Sequence, residues 1–417
     1  METMFVRHYE KVIVGCCFLS IFANVGLAST AFSVHQPFIV ALPGIGDTGG
    51  SLILSTRTLT SLIAMVFLDR YYRLLDVRLG VLVASLFTMA GFFVYSIASS
   101  LPTFLGGAML LGLGYGLGGM VSVTYLVNRW FSSGIGTMLG FVSMGSGLAS
   151  IIMPPIVVNI IQATSLSGAF WVEGIIALAL GLLVFFLIKN RPSDLGLKPY
   201  ERPTSSKRAK GSKRRIASNA QPPSEGERIA VLAAIVGVGT FSCCGMTYMS
   251  VLATSSGFDI AFAALLVSIA GAALTAAKFI TGELFDHLGT PAGSAIMFSC
   301  AFVGFVLCCF VGLGNAPLMV CAAVLIGSGL SLGTVGVSVW SLDMSDASNR
   351  VREIKNFQVA YALGGFIANT LPGIVKDLVD TYVVSYMAAA VITALSAFII
   401  LRRYRGRNDA NSSETDV

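Results

Sequence analysis

A lysine and an arginine stand inside long apolar runs of this 417-residue chain. Charges in such places either do chemistry or cost free energy. Lys278 interrupts residues 260–285, a run built almost wholly of Ala, Leu, Ile, Val, Phe, Gly, Ser and Thr. As a helix the run can cross the hydrocarbon of a bilayer, which takes ~20 residues at ~1.5 Å each. Lys278 precedes Asp286 by two helical turns, ~12 Å towards the bilayer centre. A cation there costs ~2.5–3.5 kcal/mol on insertion scales unless it meets water, an anion or a partner. Arg57 is the second such cation, placed ~18 Å along its own run from Asp69. An ammonium is a movable point charge, and a guanidinium is a planar fork that fits a carboxylate. Together they read as an anion site.

Acids that could neutralise the pair are scarce. Glu173 lies in the outer part of its run, and Glu283 sits beside the turn at Asp286. If neither pairs with them, the empty site is positive and an anionic substrate supplies the missing charge. Closing around an empty positive site is unfavourable, which favours exchange; His35 or Glu173 offers proton coupling instead. Tyr361 and Gln358 are three residues apart and share a helix face. With His35 and Ser146 (from the stripe Ser143, Ser146, Ser150) they are candidate hydrogen-bonding partners of the substrate, although the serines serve equally as helix contacts.

The elements that must position these groups follow from composition. Hydrophobic residues make up 55% of the chain and charged residues 12%, about half the charge of a soluble domain. An all-α polytopic membrane protein is expected. Twelve spans are legible, at residues 12–34, 51–71, 79–98, 103–127, 134–162, 168–188, 229–254, 260–285, 292–311, 317–340, 357–375 and 382–401. The chain divides into a six-helix half (1–188), a basic linker (189–228), a second six-helix half (229–402) and a tail (403–417). Within the linker, Lys207, Arg208, Lys210, Lys213, Arg214 and Arg215 stand among Pro, Ser and Gly, so this part buries no core and is expected to be a flexible tether.

Cations set the orientation. With both termini and the linker in the cytoplasm, Arg70, Arg73, Arg78, Arg129, Arg350, Arg352 and Lys355 all fall in cytoplasmic loops, and Lys376 alone lies outside. An integral protein of the plasma (inner) membrane, working as a monomer in the lipid bilayer, is expected. The +6 net charge is spent on topology and implies no nucleic acid. The eight cysteines lie in apolar runs without metal-site or disulfide spacing, so neither metal nor cofactor is expected. Gly114 to Gly119 spell G-x-G-x-x-G, but inside an apolar helix with no strand before it, which excludes a dinucleotide site. No nucleophile–base pair or acidic dyad stands at membrane depth, and an enzyme is not expected.

The halves also repeat. Asp69-Arg70-Tyr71-Tyr72-Arg73 ends the second span of the first half, and Gly282, Asp286 and Gly289 end the second span of the other. This resembles the turn between helices two and three of the major facilitator superfamily and its weaker copy between eight and nine. The resemblance implies twelve helices in two pseudo-symmetric halves. It also implies a cytoplasmic latch carried by Asp69, Arg70, Arg73, Arg129 and Asp286. Met65, Tyr72 and Leu74 depart from that pattern. Asn128-Arg129-Trp130-Phe131, leading into the small-residue stretch Gly136 to Gly147, is similar to the oxalate:formate antiporter and monocarboxylate transporter branch. A helix-eight cation four residues before the turn glycine marks the oxalate-type members, and Lys278 stands four before Gly282. Their second lysine, in helix eleven, is replaced by Tyr361. The resemblance implies a secondary transporter of small organic anions, mono- or dicarboxylates, working by alternating access. An exporter of hydrophobic compounds, or a receptor that binds without flux, is the alternative.

Overall fold

The computed structural model describes residues 9–30, 32–131, 135–200, 225–344 and 350–415. Among these every regular element is helical, and one isolated bridge joins Phe131 to Tyr200. Hydrocarbon leaves a backbone no other partner than itself, so apolar runs of this length must form helices.

Twelve helical passages follow in order. α1 is Tyr9–Ile21, continued by Phe22–Thr30, Phe32–His35 and Gln36–Val40. α2 (Gly46–Val66), α3 (Val77–Ile97) and α4 (Leu101–Gly118, continued by Met120–Trp130) come next, then α5 (Ile135–Ala163) and α6 (Leu166–Leu187). The second half holds α7 (Glu225–Thr247, continued by Met249–Ser255), α8 (Ile260–Leu288) and α9 (Thr290–Cys308). It ends with α10 (Ala316–Gly329, continued by Leu330–Gly333 and Val335–Asp343), α11 (Arg350–Val379) and α12 (Val383–Thr415). Eleven of these passages have the length and apolarity to cross a bilayer. The exception is α11, whose first turns carry Arg350, Arg352, Glu353, Lys355, Asn356 and Gln358; it is held by packing on α2 and α7.

Capping residues fix where the runs stop. Asp76, Ser165, Asp259 and Asn315 each accept a backbone N–H of the helix they open, at 2.8–3.2 Å. All four stand outside the apolar runs, where water can serve the remaining donors.

Contacts repeat between the halves. α2 packs on α4, α3 on α4 and α6, and α1 on α5; α8 packs on α10, α9 on α10 and α12, and α7 on α11. Interruptions repeat too: α1 and α7 are broken in corresponding places, as are α4 and α10. Broken helices in matching positions of two repeats line the path of a transporter.

Side-chain hydrogen bonds hold the two breaks of the first half. In α1 the interruption is a π-helix, Phe22–Thr30, whose Asn24 binds Ser85 at 3.2 Å and accepts from Thr88 at 2.7 Å. At the α4 break the Leu117 carbonyl accepts from Tyr72 at 2.8 Å and from Ser122, while Gly118 accepts from Ser20 at 3.3 Å. Tyr72, which replaces a glycine of the family turn, therefore holds the broken end of α4.

The residues after α6 differ from a free tether. Trp130 donates its indole N–H to Lys189 O at 3.0 Å, Pro192–Leu195 forms a short 3-10 turn, and Tyr200 N donates to Trp130 O at 2.8 Å. This strap fastens residues 189–200 to the first half, and Trp130 and Phe131 supply the anchor. The basic clusters between Lys207 and Arg215 lie outside the described residues.

Candidate functional site between the two halves

The halves meet along two seams, α2 against α11 and α5 against α8. At the first, the ends of α2 and α11 remote from the termini and linker are stitched by hydrogen bonds. Gly373 N donates to Ser51 Oγ at 2.9 Å, Ser51 Oγ lies 2.7 Å from Tyr248 OH, and Tyr248 donates to Asn369 O at 2.8 Å. Asn369 Nδ2 donates to Thr58 at 2.8 Å, Ser55 and Thr370 pair at 2.8 Å, and Thr48 N donates to Asp377 at 3.0 Å. Tyr382 adds a short bond to Asp47. Lys376, the sole cation expected on this face, pairs with Asp380 at 2.6 Å, and that bond holds the Asp380 carboxyl below the usual carboxylate range. The other contacts across the halves join the turn Phe32–His35 and the helix Gln36–Val40 to α7, Met249–Ser255 and α8. They too lie on this far face. The far face is sealed.

Gly373 makes the seal possible. A Cβ there would strike Ser51 and the Asp47 carbonyl. Gly373→Val is expected to destabilise the sealed state by about 1–3 kcal/mol, and so to lower its ratio to the open state roughly 5–150-fold. Distances between spin labels on the far-face loops read this directly.

Arg57 sits below the seal. It is buried, donates from Nη1 to Ala28 O of the π-helix at 2.7 Å, and holds its guanidinium 5.5 Å from the Phe32 ring centre. Tyr95, Tyr115, Tyr248 and Cys243 are the polar groups within its electrostatic reach, the last two from the opposite half. Arg57 thus faces the seam, held there by the bond to Ala28. Its place is set by glycine: a Cβ on Gly112 of α4 would come within 2.5 Å of the Arg57 carbonyl. Tyr361 is held similarly, because Gly239 and Gly364 let α7 and α11 touch backbone to backbone; its hydroxyl lies beside Ser242 and Cys243.

Lys278 is half-buried on α8. One turn before it Thr275 meets Gly147 of α5, and two turns before it Gly271 meets Ser150; one turn after it, Thr281 hydrogen-bonds Ser331 of α10 at 2.6 Å. Lys278 therefore sits where α8 passes from one half's surface to the broken helix of its own. Among the described residues no carboxylate lies within salt-bridge distance of Lys278 or Arg57. The two scarce acids are engaged elsewhere: Glu173 lies 2.9 Å from His35 and Glu283 3.2 Å from His287.

Other sequence candidates are not gathered here. His35 is fully buried, its ring packed beside those of Phe32 and Phe170, whose centres lie 5.0 and 4.8 Å away. Ser146 is buried on α5 and donates to Ser143 O at 3.0 Å, and Gln358 is exposed near the start of α11. Arg70 is exposed on the short helix Leu68–Leu74 that follows α2, Asp286 is exposed near the end of α8, and Arg129 lines a shallow groove with Arg191, Pro192 and Ser193. The side chains of Asp69 and Arg73 lie outside the described residues. Tyr115, a lone aromatic among the glycines of α4, was not singled out by the sequence, though that isolation is a signal. No group of three or more His, Cys, Asp or Glu side chains suited to a metal occurs among the described residues.

A family model described as the Major Facilitator Superfamily matches residues 16–369. The chain belongs to the major facilitator superfamily. Solved structures of similar fold agree. A POT family transporter in complex with 5-aminolevulinic acid is 16% identical, with 96% of each chain covered and a TM-score of 0.68. A mutant of the nucleoside transporter NupG is 11% identical, with 95% of this chain and 99% of that one covered and a TM-score of 0.70. A bacterial homologue of the human lysosomal transporter Spinster, inward-facing and unoccupied, is 14% identical, covering 96% and 98%, with a TM-score of 0.63. At these identities the likeness is one of fold. No curated protein matches the chain by sequence. As a facilitator the chain is a secondary transporter rather than an enzyme, integral to a membrane.

Proposed function

We propose that this facilitator carries small organic anions, mono- or dicarboxylates, by alternating access, with the linker face towards the cytoplasm. One observation carries the reading: two cations inside membrane-spanning helices, one from each half, without a carboxylate partner among the described residues. A substrate carboxylate supplies what Lys278 and Arg57 lack. Tyr361, at the position of the second lysine of oxalate-type transporters, adds a hydroxyl instead of a second charge on its helix. Resemblance to the oxalate:formate and monocarboxylate branch, through Lys278 and Asn128-Arg129-Trp130-Phe131, supports the same class. The latch assigned to Asp69, Arg70, Arg73, Arg129 and Asp286 belongs to this cycle.

Binding of labelled oxalate, formate and lactate to the purified protein tests the assignment. Saturable binding of at least one, lost in Lys278→Met, is expected. Binding of none, or binding indifferent to Lys278, overturns it.

A further inference from the structure

We infer that Asn369 determines specificity at the site between the halves, its amide oxygen selecting anions that also bear a hydrogen-bond donor, such as hydroxycarboxylates, over their plain analogues. Such selection deepens the carboxylate reading and rests on it.

Depth places Asn369 beside the site. The bonds of the far-face seal meet α2 at Asp47, Thr48, Ser51, Ser55 and Thr58, and the last of these is the innermost. Asn369 makes that innermost bond, to the residue that follows Arg57. Tyr248, which donates to the Asn369 carbonyl, lies within the electrostatic reach of the Arg57 guanidinium. On α11, Tyr361, Gly365 and Asn369 follow one another at four-residue spacing and so share a face. Tyr361 and Asn369 are ~12 Å apart along the helix, and the glycine leaves that face bare of a side chain at its middle. Among the described residues a Cβ on Gly365 would meet only Cys243 Sγ, at 3.0 Å, and Cys243 is another of the groups within reach of Arg57.

Hydrogen bonds fix which way the amide points. Thr58 Oγ1 gives its one hydrogen to the Leu54 carbonyl at 3.0 Å, so it can only accept from Asn369. The amide nitrogen therefore faces Thr58, at 2.8 Å, and Oδ1 faces elsewhere. Asn369 is 4% exposed, and its Oδ1 is buried with no donor among the described residues. An acceptor left in this state costs free energy that a bound donor recovers. An amide oxygen has no hydrogen to offer a carboxylate. It can serve a hydroxyl or an N–H of the same solute, while Lys278 and Arg57 take the carboxylate. The Tyr95 hydroxyl, also within reach of Arg57 and without a partner among the described residues, can donate and suits the carboxylate instead.

Recognition and closure are then linked. Asn369 is held by a bond between the halves, so its acceptor is aimed only while the far face is sealed. A donor-bearing anion therefore favours the sealed state beyond what its charge does.

Initial uptake rates in proteoliposomes test this with matched pairs, glycolate against acetate and lactate against propionate, in wild type, Asn369→Leu and Thr58→Val. In the wild type the hydroxylated member of at least one pair should exceed its plain partner in kcat/KM by roughly 5–150-fold, the effect of satisfying one buried acceptor. Asn369→Leu, close in size but without the acceptor, should bring that ratio to about one. Thr58→Val breaks the same bond between the halves yet spares the acceptor. It should keep the ratio, because a weakened seal lowers both acids together. Pairs carried equally by the wild type, a preference that survives Asn369→Leu, or a preference lost equally in Thr58→Val would overturn the inference and leave the carboxylate assignment standing. So would carriage of oxalate or formate with neither pair carried. Carriage of no carboxylate at all would remove the assignment itself, and the selection with it.

Discussion

Lys278→Met is expected to lower carboxylate kcat/KM by about 100-fold or more while leaving the protein at least as stable. The first half follows from the charge. Truncating one partner of a desolvated charge pair costs about 2–5 kcal/mol, and each 1.4 kcal/mol is tenfold. Lys278 is half-buried rather than wholly enclosed by protein, which places the loss towards the lower end of that range. The second half follows from the absence of a carboxylate partner among the described residues. An unpaired cation in a membrane helix costs ~2.5–3.5 kcal/mol, and methionine removes that cost while keeping the length of the side chain. Lost flux with an unchanged or higher melting temperature separates a substrate-binding role from a structural one, in which both would fall together. Initial rates in proteoliposomes and thermal unfolding in detergent provide the two readings.

Arg57→Met is expected to lower kcat/KM by a similar factor and, unlike Lys278→Met, to destabilise. Arg57 donates to Ala28 O in the π-helix, so removal takes the side-chain donor from this buried carbonyl at about 1–3 kcal/mol. Arg57→Lys should recover little, because an ammonium cannot bond the carbonyl and present a fork to the substrate together. The double variant gives the sharper result. Two cations on one anion lose their worth together, so Lys278→Met with Arg57→Met should cost less than the sum, by at least ~1 kcal/mol. Strict additivity would place the two residues in separate roles.

Hydrophobic run length made the twelve passages legible, because in hydrocarbon length and apolarity decide the backbone. The polar start of α11 reads as a loop by composition, yet it is helical, with Glu353 paired to Arg228 of α7 at 2.9 Å. The breaks in α1 and α10 were not legible. Hydropathy is blind to whether Ala28 O bonds its own helix or Arg57. Lys278 and Arg57 could be found because intramembrane charge is rare. Tyr115 and the far-face seal could not, since Ser, Thr, Asn and Tyr at those depths read equally as helix contacts. His35 was legible as a chemical group but not in its surroundings: its depth suggested the cavity, whereas the turn at Phe32–His35 swings it onto Glu173.

Counterflow tests the central claim most directly. Proteoliposomes loaded with unlabelled oxalate, formate or lactate are diluted into a trace of the same labelled acid, with wild type and Lys278→Met compared. Transient accumulation of at least one label by the wild type, and none by Lys278→Met, is the predicted result. A wild type that accumulates no carboxylate, or a Lys278→Met variant that accumulates it equally, would contradict an anion carrier with Lys278 at its site.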